Sequence, residues 1–169
     1  MSADFGLFVL RVVLGVVVAA HGLQKFGFLK GYGLKGITQG FKSMGFWPAE
    51  FWAPLIAVVE TAGSALMILG LGGPIVPGLI AADLAVAAIV VHWPKGFWVT
   101  DGGIEFVSLI SGAGVALIFA GYGRWSLDSA FGINYASWLR PVWAVLMLVG
   151  VVLALASRSL RASSPAPTA

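Results

Sequence analysis

Long apolar runs with very few charges are the feature that most constrains this chain. The first run covers residues 5–23, and Arg11 and His21 are its only ionisable residues. At ~1.5 Å per residue it is long enough to cross a hydrocarbon core of ~30 Å. Apolar residues form 59% of the sequence and charged residues 10%, whereas soluble domains usually carry about 25% charged residues. The sequence therefore predicts a membrane protein.

Five runs of this kind predict the fold class, an all-α membrane protein. We expect a four-helix transmembrane bundle to form the core, followed by a fifth, C-terminal transmembrane helix. A Ser/Pro/Ala-rich end predicts a disordered tail. The predicted boundaries are residues 1–132 for the core, about 5–23, 51–71, 75–91 and 104–120 for its helices, 133–157 for the additional helix, and 158–169 for the tail.

The first loop contains a second kind of helical pattern. Leu34, Ile37, Phe41 and Met44 recur at helical spacing among several lysines. An apolar stripe with basic residues beside it is typical of a helix that lies in the membrane interface. We predict a short interfacial helix there.

The distribution of basic residues predicts the topology. With five spans, one side holds seven basic residues and the other holds two, which favours the first side as cytoplasmic. The N-terminus would then lie outside and the C-terminus in the cytoplasm, and the first helix is expected to remain because no signal-peptide pattern precedes it. The seven are Lys25, Lys30, Lys35, Lys42, Lys95, Arg158 and Arg161, and the two are Arg124 and Arg140.

Three ionisable residues fall in the middle of predicted spans. Measured from the nearest predicted helix ends, Arg11, Glu60 and Asp83 all lie ~13–15 Å from the same membrane surface. Gly15 and Gly22 share a helix face with Arg11 and favour close approach to the Glu60 helix. We expect Arg11, Glu60 and Asp83 to form one buried polar site. The alternative is a structural pair of Arg11 and Glu60 that only fixes helix register.

A second polar layer is predicted nearer the lysine-rich surface. It contains His21, Lys25, His92 and Glu105, which could bind a ligand head group or relay protons, since histidine titrates near neutral pH. The alternative is an ordinary polar belt at the membrane interface. Asp83 and His92 are nine residues apart, so they face opposite sides of an ideal helix. They can share a cavity only if the helix is distorted.

Several functions are disfavoured by what the sequence lacks. Without cysteine there is no disulfide, thiolate metal site or thiol redox centre. No spacing of histidine and glutamate predicts a metal site, no triad identifies catalytic residues, and no basic stripe predicts nucleic-acid binding. Trp93, Phe97 and Trp98 are typical of an aromatic belt, or could line the access path of a lipid-like substrate.

With these residues identified, the chain resembles the DoxX family of small bacterial membrane proteins. The segments that carry the resemblance follow one another over about residues 5–132. Departures from the family pattern are Asp101 in place of asparagine, Phe106 in place of tyrosine, and the fifth helix. The matching segments are Leu10-Arg11 with Gly15, His21-Gly22-Leu23-Gln24-Lys25-Phe26, Glu60-Thr61-Ala62-Gly63-Ser64-Ala65-Leu66, His92-Trp93-Pro94-Lys95-Gly96-Phe97, Gly102-Gly103-Ile104-Glu105, and Gly121-Tyr122-Gly123-Arg124-Trp125-Ser126-Leu127-Asp128.

The resemblance implies a location in the bacterial cytoplasmic (inner) membrane. It also implies an association with redox complexes, since related subunits accompany the oxidation of thiosulfate coupled to quinone reduction. We therefore expect a membrane subunit that works with redox partner subunits and offers a pocket to a quinone or another small amphiphile. It would carry no covalently bound cofactor and would not be a complete oxidoreductase alone. The alternatives are a small-anion transporter, suggested by Arg11, and a non-catalytic scaffold or assembly factor that docks partners through residues 122–138 and the fifth helix.

Overall fold

The computed structural model describes residues 2–162, and within that range every regular element is helical. The predicted all-α class is confirmed for this part of the chain. Two π-helical turns, Val59–Gly63 and Ala88–His92, and two 3-10 turns, Trp93–Lys95 and Val99–Asp101, interrupt or connect the α-helices. The α-helices are α1 (Ser2–Lys25), α2 (Gly33–Ser43), α3 (Ala49–Val58), α4 (Ser64–Leu69), α5 (Ile75–Ala87), α6 (Glu105–Ala120), α7 (Leu127–Ala130) and α8 (Leu139–Ala162).

Four helical stretches of the described chain are long and apolar enough to cross a membrane, as the sequence predicted for a multi-span protein. They are Ser2–Lys25, Ala49–Leu69, Ile75–Lys95 and Leu139–Ser159. The helix α6 is also apolar but has 16 residues, which is ~24 Å at ~1.5 Å per residue and shorter than a ~30 Å hydrocarbon core. The count of five spans therefore stays a prediction.

The C-terminal helix extends further than the sequence indicated. Residues 158–162, which we assigned to the tail, continue α8, and Arg158 donates from Nε to the carbonyl of Met44 at 2.8 Å. This contact joins the end of α8 to the end of α2. Residues 163–169 of the predicted tail lie outside the described residues.

Small residues let α1 pack closely and antiparallel against the continuous helix formed by α3, the first π turn and α4. Gly15 faces Ser64 and Ile68, and a methyl group at Gly15 would overlap the Ile68 side chain. Gly22 faces the backbone at Glu60 in the same way. The predicted approach of the glycine face of α1 to the Glu60 helix is confirmed.

The fifth long helix, α8, packs on α5 and runs parallel to it. Trp143 donates from Nε1 to the carbonyl of Ile75 at 3.0 Å. Gly78, one turn further along α5, faces Trp143 and Met147. The helix α6 covers another side of α5, with Gly114 against Ala81. As a result α8 is an integral wall of the bundle rather than an appendage.

Candidate ligand cavity

A cavity of about 750 Å³ lies within the bundle. Its volume is in the upper part of the ~300–1,000 Å³ range of small-molecule sites. Side chains from α1, α2, α3, α5, α6 and α8 line it, and most of them are apolar. Besides Tyr32, five ionisable residues belong to the lining, namely His21, Lys25, Glu60, Asp83 and His92.

Glu60 and Lys25 form an ion pair in the wall of the cavity. The Lys25 Nζ donates to Glu60 Oε2, and the Glu60 side chain is only 6% exposed whereas that of Lys25 is 18% exposed. Lys25 is the last residue of α1, so its flexible stem can reach Glu60 in the first π turn. A carboxylate this deeply buried needs a partner, and Lys25 supplies it.

Asp83 adds a second carboxyl group to this pair. It lines the same cavity, and both Glu60 and Lys25 are close enough to act on it electrostatically. Its Oδ2 is buried and accepts no hydrogen bond from an N–H or O–H group of the described residues, and the Glu60 carboxyl group lies within hydrogen-bond reach of Asp83. Two carboxyl groups with one ammonium are neutral only when the carboxyl groups hold one proton between them. We call Lys25, Glu60 and Asp83 the carboxylate cluster.

His92 reaches the cavity because its helix is distorted. The π turn Ala88–His92 lies between Asp83 and His92, and an inserted π turn rotates the residues that follow it about the helix axis. Both residues therefore line one cavity, which satisfies the condition set by the sequence. The Nδ1 of His92 lies 2.6 Å from the carbonyl oxygen of Gly102. A carbonyl only accepts, so Nδ1 carries the hydrogen and Nε2 is the acceptor of the neutral ring.

Glu105 belongs to the turn that follows His92 and does not line the cavity, so its predicted place in the head-group layer is wrong. Its Oε2 accepts from the backbone N–H of Val99 at 2.9 Å. Backbone bonds from Ile104 to Gly96 at 3.0 Å and from Glu105 to Phe97 at 2.9 Å close the same turn. The physical reason is local: Glu105 starts α6 and its side chain folds back over the preceding 3-10 turn.

The aromatic residues of this turn also lie away from the cavity. Trp93, Phe97 and Trp98 are 68%, 55% and 62% exposed and are absent from the cavity lining. They therefore do not form the access path considered from the sequence. Most aromatic cavity residues come instead from the α2–α3 region, and they include Phe41, Phe46 and Trp52. The sequence placed Phe41 in the interfacial helix but assigned Phe46 and Trp52 no part in a site. Trp52 Nε1 is buried without a partner among the described residues.

Arg11 lies in a separate polar site. It is 2% exposed, and its guanidinium donates to the carbonyls of Met67, Ile68 and Trp125, at 3.1 Å for Met67. The rings of Phe8 and Tyr122 lie 5.1 and 5.9 Å from its Cζ. The prediction of one buried site shared by Arg11 and Glu60 is wrong.

The error arose because the depth calculation assumes that the neighbouring helices end at one level. The end of α1 at Lys25, two residues beyond the predicted end, accounts for only ~3 Å. Gly22, three residues before the end of α1, is level with Glu60, which lies eleven residues after the start of α3. Along the antiparallel pair, Gly15 is level with Ser64 and Gly22 is level with Glu60. Arg11 is therefore about one turn beyond Gly15 and contacts the end of α4, whereas Glu60 lies at the other end of the α1 contact.

Asp128 lies in the polar structure at the Arg11 end, and no role for it was predicted. It is 7% exposed and accepts from the backbone N–H groups of Gly72 and Gly73 at 3.2 and 2.8 Å. The Tyr135 hydroxyl donates to it at 3.1 Å. Partial burial and this hydrogen bond raise the pKa of the Tyr135 phenol. The only signal in the sequence was that Asp128 ends one of the segments that carry the family resemblance.

Apolar helices of membrane-spanning length around a cavity with buried ionisable walls define a multi-span helical membrane protein with an internal ligand-sized site. The chain belongs to the DoxX family, whose pattern matches residues 6–93. The charged residues and histidines of the cavity lining fall within that matched segment, whereas α8 lies outside it.

Two relatives extend the comparison. The chain is 34% identical over 127 residues to "Putative oxidoreductase CatD" of Bacillus subtilis (strain 168), an alignment that covers 75% of this chain and 87% of the relative. It is 28% identical over 130 residues to "Uncharacterized membrane protein Rv3486" of Mycobacterium tuberculosis (strain ATCC 25618 / H37Rv), covering 70% of this chain and 77% of that protein. No solved structure matches the chain.

Proposed function

We propose that this protein is an integral membrane subunit of a redox-linked system and that its cavity binds the head group of a quinone or another small amphiphile. The observation that carries the proposal is the carboxylate cluster in the wall of a largely apolar cavity of about 750 Å³. The printed name of the B. subtilis relative, an oxidoreductase, supports the redox association. Buried ionisable groups beside an internal space are a common mark of ligand or proton sites in membrane proteins.

The cavity residues fit such a head group chemically. The Lys25 ammonium and the Trp52 indole N–H are donors suited to carbonyl oxygens, and the Oδ2 of Asp83 is suited to a hydroxyl. A quinone, when bound, supplies an acceptor for two electrons and two protons, and a partner redox subunit would deliver the electrons. Glu60 and Asp83 offer carboxyl oxygens to the head group, and His92 lines the same cavity with Nε2 as a further acceptor.

Quinone binding by the purified protein in lipid nanodiscs tests the proposal. We expect saturable binding of decylubiquinone. The quenching of tryptophan fluorescence measures it, because Trp52 lines the cavity. Glu60→Gln should weaken that binding by about tenfold or more, because it removes a charge from the carboxylate cluster. A fold-change of ten corresponds to ~1.4 kcal/mol. Glu105→Gln is the matched control because Glu105 lies in the adjacent turn, and it should bind as the wild type does. Absence of saturable binding, or equal binding by Glu60→Gln, would exclude the proposal.

The structure gives the small-anion transport alternative little support. Its basis was a mid-membrane arginine available to an anion, but Arg11 donates to three backbone carbonyls and is absent from the cavity lining. Flux of a small anion into liposomes should therefore be no greater with wild type than with Arg11→Gln.

The scaffold alternative depends on residues 122–138 and on the outward face of α8. Leu148, Val152 and Leu153 of α8 are 67%, 63% and 61% exposed, and a protein partner could cover them in place of lipid. Affinity purification of the chain lacking residues 133–169 tests this, because retention of every partner would count against a docking role.

We further propose five spans, an interfacial α2, and an inner-membrane topology with the N-terminus outside. The chain has no cysteine, so single cysteines can report the accessible side without background labelling. A cysteine at exposed Lys30 should be shielded from an impermeant maleimide in intact spheroplasts, and one at exposed Arg124 should react. The reverse labelling pattern would invert the topology, and labelling of both from outside would exclude it.

A further inference from the structure

We infer that the ligand is a tailed amphiphile whose apolar chain leaves the cavity sideways, between α3 and α8, and that Gly150 determines how wide a chain can fit. The inference rests on the proposed function, because it takes the carboxylate cluster as the head-group end. It adds the chemical class of the ligand, a lipid-soluble molecule with a long hydrocarbon or isoprenoid tail, and a residue that sets its size.

One face of α8 forms an apolar wall of the cavity. Met147, Gly150, Val151 and Ala154 all line the cavity, and their spacing places them on one side of the helix. The polar groups come instead from α1, the first π turn and α5. A compact polar ligand held by the carboxylate cluster would leave this apolar face uncovered, whereas the tail of an amphiphile would cover it.

The opening between α3 and α8 has a rim of leucines. Leu55 of α3 and Leu153 of α8 both line the cavity, and they are 38% and 61% exposed. Val58 and Val152 on the same helices are 51% and 63% exposed without lining the cavity, so each leucine lies at the border between the cavity and the outer surface. The helix α3 packs against α1 and α2, and α8 packs against α5 and α6. Residues that belong to both the cavity wall and the lipid-facing surface mark a place where the two spaces meet. A hydrocarbon chain can cross there without exposing a polar group to lipid.

Gly150 is the position where added volume enters the cavity instead of the protein. A β-carbon placed on Gly150 would meet no heavy atom within 4 Å. A larger side chain there can therefore occupy space that a ligand tail would use, and the packing of α8 on α5 does not have to change. Gly112 of α6 has the same freedom but does not line the cavity, which makes it a matched control.

The experiment compares two ligands with the same head group, decylubiquinone and its tail-free parent, 2,3-dimethoxy-5-methyl-1,4-benzoquinone. Binding to the full chain in nanodiscs is measured for the wild type, Gly150→Phe and Gly112→Phe. We expect Gly150→Phe to weaken decylubiquinone binding at least tenfold and to change binding of the tail-free quinone by less than about twofold. Gly112→Phe should leave both unchanged. Thermal unfolding shows whether Gly150→Phe is folded. Gly150→Ala, which adds only a methyl group, is measured in the same way for comparison.

The outcomes separate the two proposals. If neither quinone binds the wild type, the proposed function fails together with the tail assignment. If both bind and Gly150→Phe affects neither, or affects both equally while remaining folded, the head-group site stands and the tail path is excluded. If Gly150→Phe does not fold, the same comparison is made with Leu153→Trp at the rim. We expect Leu153→Trp to weaken decylubiquinone binding selectively. If it changes the binding of both quinones equally, or of neither, relative to the wild type, the path is excluded.

Discussion

The molecule contains two buried polar sites within its helical bundle, and their partners differ. Arg11 is surrounded by protein: carbonyls of Met67, Ile68 and Trp125 accept from it, and aromatic rings cover it. The carboxylate cluster has only one cation for two carboxyl groups, and it faces a cavity. At the first site the charge is held by the fold and faces no cavity, although Arg11 Nε has no hydrogen-bond partner among the described residues. The second site is left incomplete on the side that faces the cavity.

This difference separates stability from function. A buried guanidinium that donates to backbone carbonyls fixes the relative position of the helix ends and the loop. It has few remaining N–H groups that a ligand could bind. A buried carboxyl oxygen without a partner is costly in the protein alone and gains from a ligand that supplies the missing hydrogen bond. Substitutions at the two sites should therefore change different measurements.

The largest effect on folding is expected at the Arg11 site. Arg11→Met removes the charged donor from three carbonyls, so the free energy of unfolding should fall by on the order of 3–5 kcal/mol. Thermal and denaturant unfolding in detergent measure this. The fraction that remains folded should still bind decylubiquinone with wild-type affinity. An unchanged unfolding free energy would show that Arg11 does not have the structural role we assign to it.

The next effect concerns the ion pair of the incomplete site. Lys25→Met leaves two neighbouring carboxyl groups without a cation, and we expect a loss of about 2–3 kcal/mol, below the ~3–5 kcal/mol of a fully buried pair, because Lys25 is 18% exposed. The double variant Lys25→Met/Glu60→Gln should recover much of that stability and still bind quinone poorly. If the double variant were no more stable than Lys25→Met, the two side chains would not be coupled.

A smaller effect is expected from Asp128 at the Arg11 end. Asp128→Asn removes the charge and one of the two oxygens that accept from Gly72, Gly73 and Tyr135, which should cost about 1–2 kcal/mol. Quinone affinity should not change, because Asp128 is absent from the cavity lining. A loss of affinity at full folding would join the two sites and contradict the comparison.

The smallest effect is a pH dependence. The pKa of Tyr135 is raised in the folded protein above its unfolded value of about 10. A raised folded pKa means that the contribution of this phenol is complete below about pH 10 and is lost as pH rises through the folded value. Tyr135→Phe should therefore show a shallower loss of stability above pH 10 than the wild type. Identical alkaline profiles for the two proteins would show that the bond to Asp128 contributes nothing.

Much of the helical architecture could be predicted, because long apolar runs have few alternatives in a membrane. The predicted helix 104–120 differs by one residue from α6, Glu105–Ala120. Boundaries at polar residues were harder to predict. The sequence predicts Gln24 and Lys25 in the first loop, whereas α1 continues to Lys25. At that helix end Lys25 pairs with Glu60. That two-residue difference contributed to the incorrect depth of Arg11.

The candidate site was predictable residue by residue but not as an arrangement. Glu60, Asp83, Lys25 and His92 attracted attention because ionisable groups in apolar runs are costly. Their grouping depended on the π turn before His92, and a periodicity of 3.6 residues gives no sign of such an insertion. The two backbone donors to Asp128 lie more than fifty positions away, so only the folded chain identifies them.

The position of α8 has a consequence for how such a protein can change. The charged residues and histidines of the cavity lining all lie within residues 6–93, whereas α8 contributes only apolar residues to that lining. A replacement of the last helix would therefore alter one apolar wall of the cavity and would leave its ionisable groups intact. The apolar shape of the cavity and its ionisable groups can therefore change independently. A new shape requires only different apolar side chains on α8, whereas the ionisable site requires the same few acids and bases.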